Sequence, residues 1–463
     1  MKVKECGRGK MPRVPRLKNI LGPSFVLLGL GLGSGELILW PYLTANWGLG
    51  ILWGALLGIS FQFFLNMEIE RWALVKGESV FVGLTRKFGR GCSLWFIFST
   101  LIPWMWPGII MSSAVLMSEI FGGNASILTI IMLFLIGALL TLGPVIYKTE
   151  EAIQKWLIIL GVPIITAVAL GLSRGADWQN LFLGLIGKGE GYNWLPKGIP
   201  FLSFLAAFAY SGAGGNLNLA QSFYIKEKGY GMGKYGSKIN SILTGKKEKI
   251  KLEGKTFALN ATNLKRFEKW WKVINWEHGL VFWLTGFLTI AMLALLSYVT
   301  VYGSGIEEGG IGFLLKEAKI IGIRTLPIAG VVFLLVAGLM LFSTQLSVMD
   351  ASSRIMSENL VLWDREKFKL KNLAKFYYIF LWVEILLSVV IVLIGLSQPL
   401  ILVMAGAGLN AVAMLVYLIL MLWLNLSELA KELRPKWGRV VVMFLEIGFF
   451  AVFCFLTLKE LVS

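Results

Sequence analysis

Eleven apolar stretches divide this chain, and none of them contains a lysine or an arginine. They run over residues 22–45, 50–68, 93–118, 126–147, 156–173, 198–224, 276–300, 327–353, 376–396, 399–424 and 440–458. Crossing a bilayer takes about 20 apolar residues in a helix. In hydrocarbon a backbone must satisfy its own hydrogen bonds, which leaves helices and closed barrels as the spanning structures. Runs of this length read as helices. With 56% hydrophobic residues, 15% charged residues and a mean hydropathy of +0.72, the chain has too little charge to cover a water-soluble surface of 463 residues. The sequence predicts an all-α membrane protein of eleven spans.

The 44 Lys and Arg residues all fall in tails and connections, and their distribution is lopsided. Counted over alternate connections from the N-terminus, one side carries 37 and the other 7. By the positive-inside rule the N-terminus is cytoplasmic, and eleven spans put the C-terminus outside, in the cell membrane. The net charge of +17 is therefore a topology signal and not a nucleic-acid surface. The basic N-terminus precedes an apolar run without a small-residue cleavage site, so that run is expected to stay as the first span. Three scattered cysteines (Cys6, Cys92, Cys454) make no disulfide framework or ligand cluster, and a single histidine, His278, excludes His-rich metal sites. No cofactor is expected.

The longest polar segment, 225–275, holds 13 Lys/Arg and 4 acids. Its "GYGMGKYGSK" start reads as flexible, and "LKRFEKWWKVINW" as an amphipathic interfacial helix leading into span 7. Contact with anionic headgroups explains such a loop, and a partner-binding role is the alternative. "GFLLKEAKIIGI", within 301–326, reads as a short surface helix.

The chain also echoes itself. "SGELIL" at 34–39 in span 1 matches "GGNLNL" at 214–219 in span 6, each preceded by further glycines. Five spans separate the copies, so they open two halves of opposite orientation, 21–175 and 198–424, after a basic tail (1–20) and before a last helix (438–460). Paired Gly-interrupted segments in inverted halves point to the central site of a secondary transporter. Glycine weakens a helix by about 1 kcal/mol relative to alanine, and an unwound stretch frees carbonyl oxygens. Gly33, Gly214 and Gly215 would open the two helices. Glu36 adds a full charge, Asn216 and Asn218 amide oxygens, Ser34 and Ser211 hydroxyls. This oxygen-rich, net-negative set suits a cation. The competing reading is close packing, since Gly29/Gly33 and Gly31/Gly35 are small-xxx-small pairs.

Other polar residues in the spans are weaker signals. Ser343, Ser347, Asp350 and Arg354 share one face of span 8. They either line a pathway or sodium site beside the first break, or form an Asp350–Arg354 anchor. Glu384 and Glu446 read as structural. "AGAGLN" at 405–410 suggests a further close-packing point, with Asn410 a lining residue, and "PWMWP" at 103–107 a proline kink.

"LGPSFVLLGLGLGSGELIL" followed by "NWGLGILWGALLG" resembles the opening of the Nramp divalent-metal transporters. Eleven spans, an inside N-terminus and a broken sixth span match as well. The resemblance implies a LeuT-type fold, two inverted five-helix repeats plus an eleventh helix. The family's Asp-Pro-Gly-Asn of the first span reads Gly33, Ser34, Gly35, Glu36 here, and its Met-Pro-His of the sixth reads Gly214, Gly215, Asn216. Gly35 alone carries over. The thioether that suits manganese or iron is missing, and no acid lies between Cys92 and Ser118, where the family has one that helps carry protons.

The expected function is secondary active transport of a cation, a divalent metal ion in the first reading, coupled to H+ or Na+. Glu36 and the Asn216 amide, with carbonyls near Gly33 and Gly214, would hold it. The alternative is sodium-coupled symport of an amino acid or similar small solute. An intramembrane enzyme would need a nucleophile–base or metal constellation that these spans do not supply.

Overall fold

The computed structural model describes residues 7–15, 20, 22–142, 146–236, 251–305 and 310–462; Cys6 and the later part of "GYGMGKYGSK" lie outside the described residues. Among these, ten helices are long and apolar enough to cross a membrane. They are span 1 (Pro23–Trp47), span 2 (Leu49–Lys76), span 3 (Arg90–Phe121), span 4 (Ala125–Leu142), span 5 (Glu150–Leu172), span 7 (Ala261–Val301), span 8 (Pro327–Trp363), span 9 (Leu370–Leu393), span 10 (Pro399–Glu428) and span 11 (Trp437–Val462). The remaining expected span, the sixth, is two short helices, Phe201–Ala209 and Gln221–Lys228.

Burial sorts the spans. Of the apolar window of span 1, 94% is buried inside the protein, against 22% for span 5 and 28% for span 4. Span 1 and the first half of span 6 therefore form the centre. Spans 4, 5 and 11 present Ile127, Trp156, Leu445 and Phe455 outward, as lipid-facing residues should be. Several helices run past the end of their apolar windows, because the charges there are buried in pairs. Arg71 Nε donates to Glu68 at 2.6 Å in span 2, and Arg354 Nε to Asp350 at 2.6 Å in span 8.

Three polar segments take definite form. Residues 231–235 of the "GYGMGKYGSK" stretch form a 3-10 turn that buries Gly231, Met232 and Gly233 and leaves Lys234 and Tyr235 exposed. Their glycines serve close approach: a Cβ on Gly231 would lie 2.8 Å from the Leu74 carbonyl oxygen. The "LKRFEKWWKVINW" helix, Ala261–His278, is continuous with span 7 through a π-helical turn, Gly279–Leu284. It leads into that span as expected and extends it by about 27 Å at 1.5 Å per residue. The "GFLLKEAKIIGI" stretch is a short helix, Gly312–Arg324, that buries Phe313, Leu314, Glu317 and Ile321 on one face and exposes Lys316, Lys319 and Ile323 on the other.

The N-terminal tail is woven into the same end as the Ala261–His278 helix, called the basic end below. Gly7–Gly9 pairs in parallel with Lys255–Phe257. Trp270 Nε1 donates to the Pro12 carbonyl at 3.0 Å and Arg266 to the Met11 carbonyl at 2.8 Å.

Candidate functional site

The two glycine-rich segments meet at the centre of the bundle, but they are built differently. In span 1, Leu32–Leu39 is π-helical, and the Trp40 amide bonds the Gly35 carbonyl five residues back. The expected discontinuity is absent; the helix widens without unwinding. Two features favour this. Glycines weaken the α-helical ladder, and Pro41 has no amide to give to the carbonyl four residues before it. Span 6 is broken outright. Gly212, Gly214 and Gly215 take φ of +139°, +71° and +53°, a region open to glycine at little cost. A 3-10 turn, Gly215–Ala220, then leads into the second half-helix.

The segments touch through their glycines. A Cβ on Gly35 would lie 1.7 Å from the Tyr210 carbonyl oxygen, and one on Gly31 2.3 Å from that of Gly212. The close-packing reading of the span 1 glycines thus holds: Gly29 packs against Gln154 of span 5, Gly33 against Thr344 of span 8, and Gly31 and Gly35 onto the break in span 6. Above it, Trp104 stacks on Tyr210 at 5.3 Å, placed by the break in span 3 at Met105–Pro107.

Each predicted residue has a definite place. Gly33 donates its amide to Thr344 Oγ1 of span 8 at 3.0 Å. Ser34 is buried, and its hydroxyl has no partner. Glu36 is fully buried with neither carboxylate oxygen bonded. It faces span 7, where a Cβ on Gly286 would lie 3.3 Å from Oε1, among Leu28 and Ile59. Gly214 donates to Gln62 Oε1 at 3.4 Å, and Gly215 lies against Asn410, whose Nδ2 donates to the Tyr210 hydroxyl at 2.8 Å. Asn216 Nδ2 donates to Ser99 at 2.8 Å and Thr100 at 2.9 Å in span 3. Asn218 Nδ2 donates to the Tyr417 hydroxyl at 3.0 Å.

The fold therefore brings Gly35, Gly214, Gly215 and Asn410 together around Tyr210 and sets Gly33 against Thr344 of span 8. In this conformation Glu36 looks toward spans 2 and 7 while Asn216 looks toward span 3, so they do not face one another. A pattern nonetheless unites the polar residues. Asn216, Asn218 and Asn410 each spend their NH2 on a neighbour and leave Oδ1 bare, as Glu36 leaves both of its oxygens. Buried polar atoms without partners are costly; carboxylates and amide oxygens without partners recur at Glu150, Glu317, Glu446, Asn359 and Asn425, and what sets the central group apart is its place on or against the two glycine-rich segments. Among the described residues no group of three or more His, Cys, Asp or Glu stands ready to hold a metal.

In span 8 the polar stripe turns away from the glycine-rich segment of span 1. Ser347 Oγ and the Ser343 carbonyl both accept from Gln154 of span 5, at 2.7 and 3.1 Å. Asp350 accepts from Arg354 and, at 2.7 Å, from the Tyr377 hydroxyl. Arg354 also pairs with Glu227. The residue that reaches span 1 is the next one, Thr344. Its hydroxyl donates to the Gly29 carbonyl at 2.8 Å while accepting from Gly33. Gln62 plays the matching part for span 6, donating to the Ala209 carbonyl at 2.9 Å. Sequence reasoning passed over both. Gln62 stood out as an amide in the apolar run "GISFQFFL", while Thr344 was screened by the stripe beside it.

No family model matches the sequence, and no curated protein matches it either. Solved structures do. A mutant of the manganese transporter of Eremococcus coleocola superposes with a TM-score of 0.71 at 12% identity, covering 99% of this chain and 91% of that one. The same transporter in complex with an aromatic bis-isothiourea substituted compound gives 0.69 at 13% identity, with the same coverage. Mhp1, a nucleobase-cation-symport-1 family transporter in a closed conformation with bromovinylhydantoin bound, gives 0.55 at 11%, covering 92% of this chain and 81% of its own. What these likenesses establish is the fold: this chain has the LeuT-type architecture of two inverted five-helix repeats plus an eleventh helix.

Proposed function

We propose that the protein is a secondary active transporter, a divergent relative of the Nramp transporters, that moves a cation across the cell membrane by alternating access. The observation that carries this reading is the set of buried oxygens on Glu36, Asn216, Asn218 and Asn410, without partners in the protein, around the π-helical segment of span 1 and the break in span 6. Oxygens without donors call for a positive ligand. The sharing of its fold with a manganese transporter adds to this. With amide and carboxylate oxygens in place of a thioether or imidazole, the preferred substrate is a hard divalent ion such as Mg²⁺, which keeps much of its own water. Glu36 and the Asn216 amide would reach one ion together once spans 1 and 6 rearrange, with Gly33, Ser34, Gly214 and Gly215 lining the path. The basic end is cytoplasmic, with the N-terminus inside and the C-terminus outside.

Uptake into proteoliposomes tests this. Mg²⁺ or Mn²⁺ should accumulate with the wild-type protein and not with Glu36→Gln. Equal uptake by both would remove Glu36 from the site. Symport of a small organic solute with sodium is the second reading, favoured by the likeness to Mhp1 and by the Thr344 hydroxyl on the Gly29 carbonyl. It demands flux that stops when the sodium gradient is collapsed.

A further inference from the structure

A second cluster of buried titratable groups lies toward the basic end, away from the paired glycine-rich segments. At its centre is His278 of span 7, the one histidine in the chain, fully buried. Its Nδ1 lies 2.8 Å from Ser24 Oγ of span 1 and 3.2 Å from Glu70 Oε1 of span 2. Ser24 also donates to Glu277 Oε2 at 2.5 Å, and Gln221, in the second half of span 6, donates to Glu70 Oε1 at 2.7 Å. Spans 1, 2, 6 and 7 are thus tied together here. Other charged and titratable groups face the cluster from neighbouring elements. Arg439 of span 11, held by Asn275, 3.6 Å from Glu68 and near Arg71, sets a positive charge that favours an ionised Glu70 and opposes a charged His278 ring, so the two carboxylates must offset it. Lys228, bonded to Glu151 of span 5 at 2.6 Å, acts on Glu277, and Tyr230 stands near Glu70, Glu277 and Glu151.

The hydrogen bonds select a tautomer. A serine hydroxyl has one proton, and Ser24 gives it to Glu277. With Glu277 and Glu70 as carboxylates, Nδ1 then carries the imidazole proton and donates it toward Ser24 and Glu70. That leaves Nε2 bare, and it has no partner; neither do Glu70 Oε2 and Glu277 Oε1. The ring is sandwiched by Phe63 and Phe282, with centroids 5.6 and 4.6 Å away. Aromatic faces favour an imidazolium over a neutral ring. The groups at hand thus include an empty proton acceptor, two carboxylates to balance the charge it would gain, and two rings that stabilise that charge. Glu277 is the slightly exposed member, at 7%, and offers the way in from the basic end.

We propose that this cluster is a proton-binding site, with His278 Nε2 as the acceptor and Glu70 and Glu277 as its counter-charges, and that the proton is the coupling ion. The proposal rests on the transport reading above. Glu36 faces Gly286, eight residues and about 12 Å farther along span 7, so the cluster lies between the substrate carboxylate and the basic end. A protonated ring pulls spans 2 and 7 together and, through Ser24, holds span 1. Loss of the proton loosens that seal.

With one histidine, full-length protein labelled with 15N-histidine in nanodiscs gives a single imidazole signal, read without any substrate. Nε2 should pass from bare to protonated as pH falls, and Glu70→Gln should lower its proton affinity about tenfold, one pH unit. In proteoliposomes under an imposed pH gradient, Glu70→Gln should lose the gradient-driven part of uptake, with partial rescue in Glu70→Asp. A signal that never titrates while the protein stays folded, or one that titrates identically in Glu70→Gln, overturns the proposal. If the wild type transports no cation while His278 titrates as described, the transport reading fails and the proton site stands.

Discussion

The glycine-rich segments of spans 1 and 6 look alike as sequence and differ as structure. Span 1 keeps a continuous backbone ladder through its π-helical turns, and its glycines are places where a neighbour's backbone or side chain comes in. Span 6 gives up its ladder over three glycines with positive φ, and side chains such as Gln62 take over the freed groups. Glycine thus does two jobs. In span 1 it lacks a Cβ, and in span 6 it has a conformation that other residues avoid. The two meet because the first job is done against the product of the second, with Gly35 seated on the carbonyl of Tyr210.

The largest effect should come from Gly35→Ala. The new methyl would meet backbone that cannot move aside, 1.7 Å away, and we expect a loss of about 4 kcal/mol or more, seen as failure to give a monodisperse, melting species. Gly215→Ala should be milder, about 2 kcal/mol from strained φ. Its clash is with the Asn410 side chain, so Asn410→Ser should recover part of the loss in a thermal-melt double-mutant cycle. Equal losses in the two glycine variants, without rescue, would break the distinction.

The side chains that serve each segment can be compared next. Gln62→Leu strips span 6 of partners for the Ala209 carbonyl and Gly214 amide, and about 2 kcal/mol should follow. Thr344→Val, which keeps shape, should cost about 1 kcal/mol, because span 1 retains its own ladder. Denaturation in detergent with each variant checks the order.

The smallest effect concerns a carboxylate remote from both segments. Glu317, outside the spans, is buried with no partner, and burial holds its pKa well above the ordinary carboxylate value. The folded state then binds more protons than the unfolded one, so stability declines as pH rises through and beyond the ordinary carboxylate range. Glu317→Gln should raise the melting temperature by about 2 °C at neutral pH and leave it unchanged in acid. This calibrates what a solitary buried carboxylate costs where no substrate is expected, and sharpens any comparison with Glu36→Gln.

Much of the fold was legible. The eleven runs free of Lys and Arg marked the spans, because lipid admits few charges and the helix is the cheapest way to satisfy a backbone there. The repeated "SGELIL" and "GGNLNL" marked the two segments that meet at the centre. Boundaries were less legible where charges continue a helix. Arg354 lies inside span 8 only because Asp350, Glu227 and Tyr377 surround it, and no local pattern reveals that. The supporting residues were harder still. Thr344 and Ser343 are adjacent, and which of them faces span 1 depends on how span 8 is rotated against its neighbours.

The sequence by itself determined the solvent, the number of crossings and the pair of weak points, since each follows from composition and period along one segment. Only the tertiary structure decided what the weak points became. The glycines of span 1 widened into a π-helix and those of span 6 broke, because the carbonyls of Tyr210 and Gly212 press against one and Gln62 supports the other. Such contacts join residues more than a hundred positions apart, and only a folded bundle sets them.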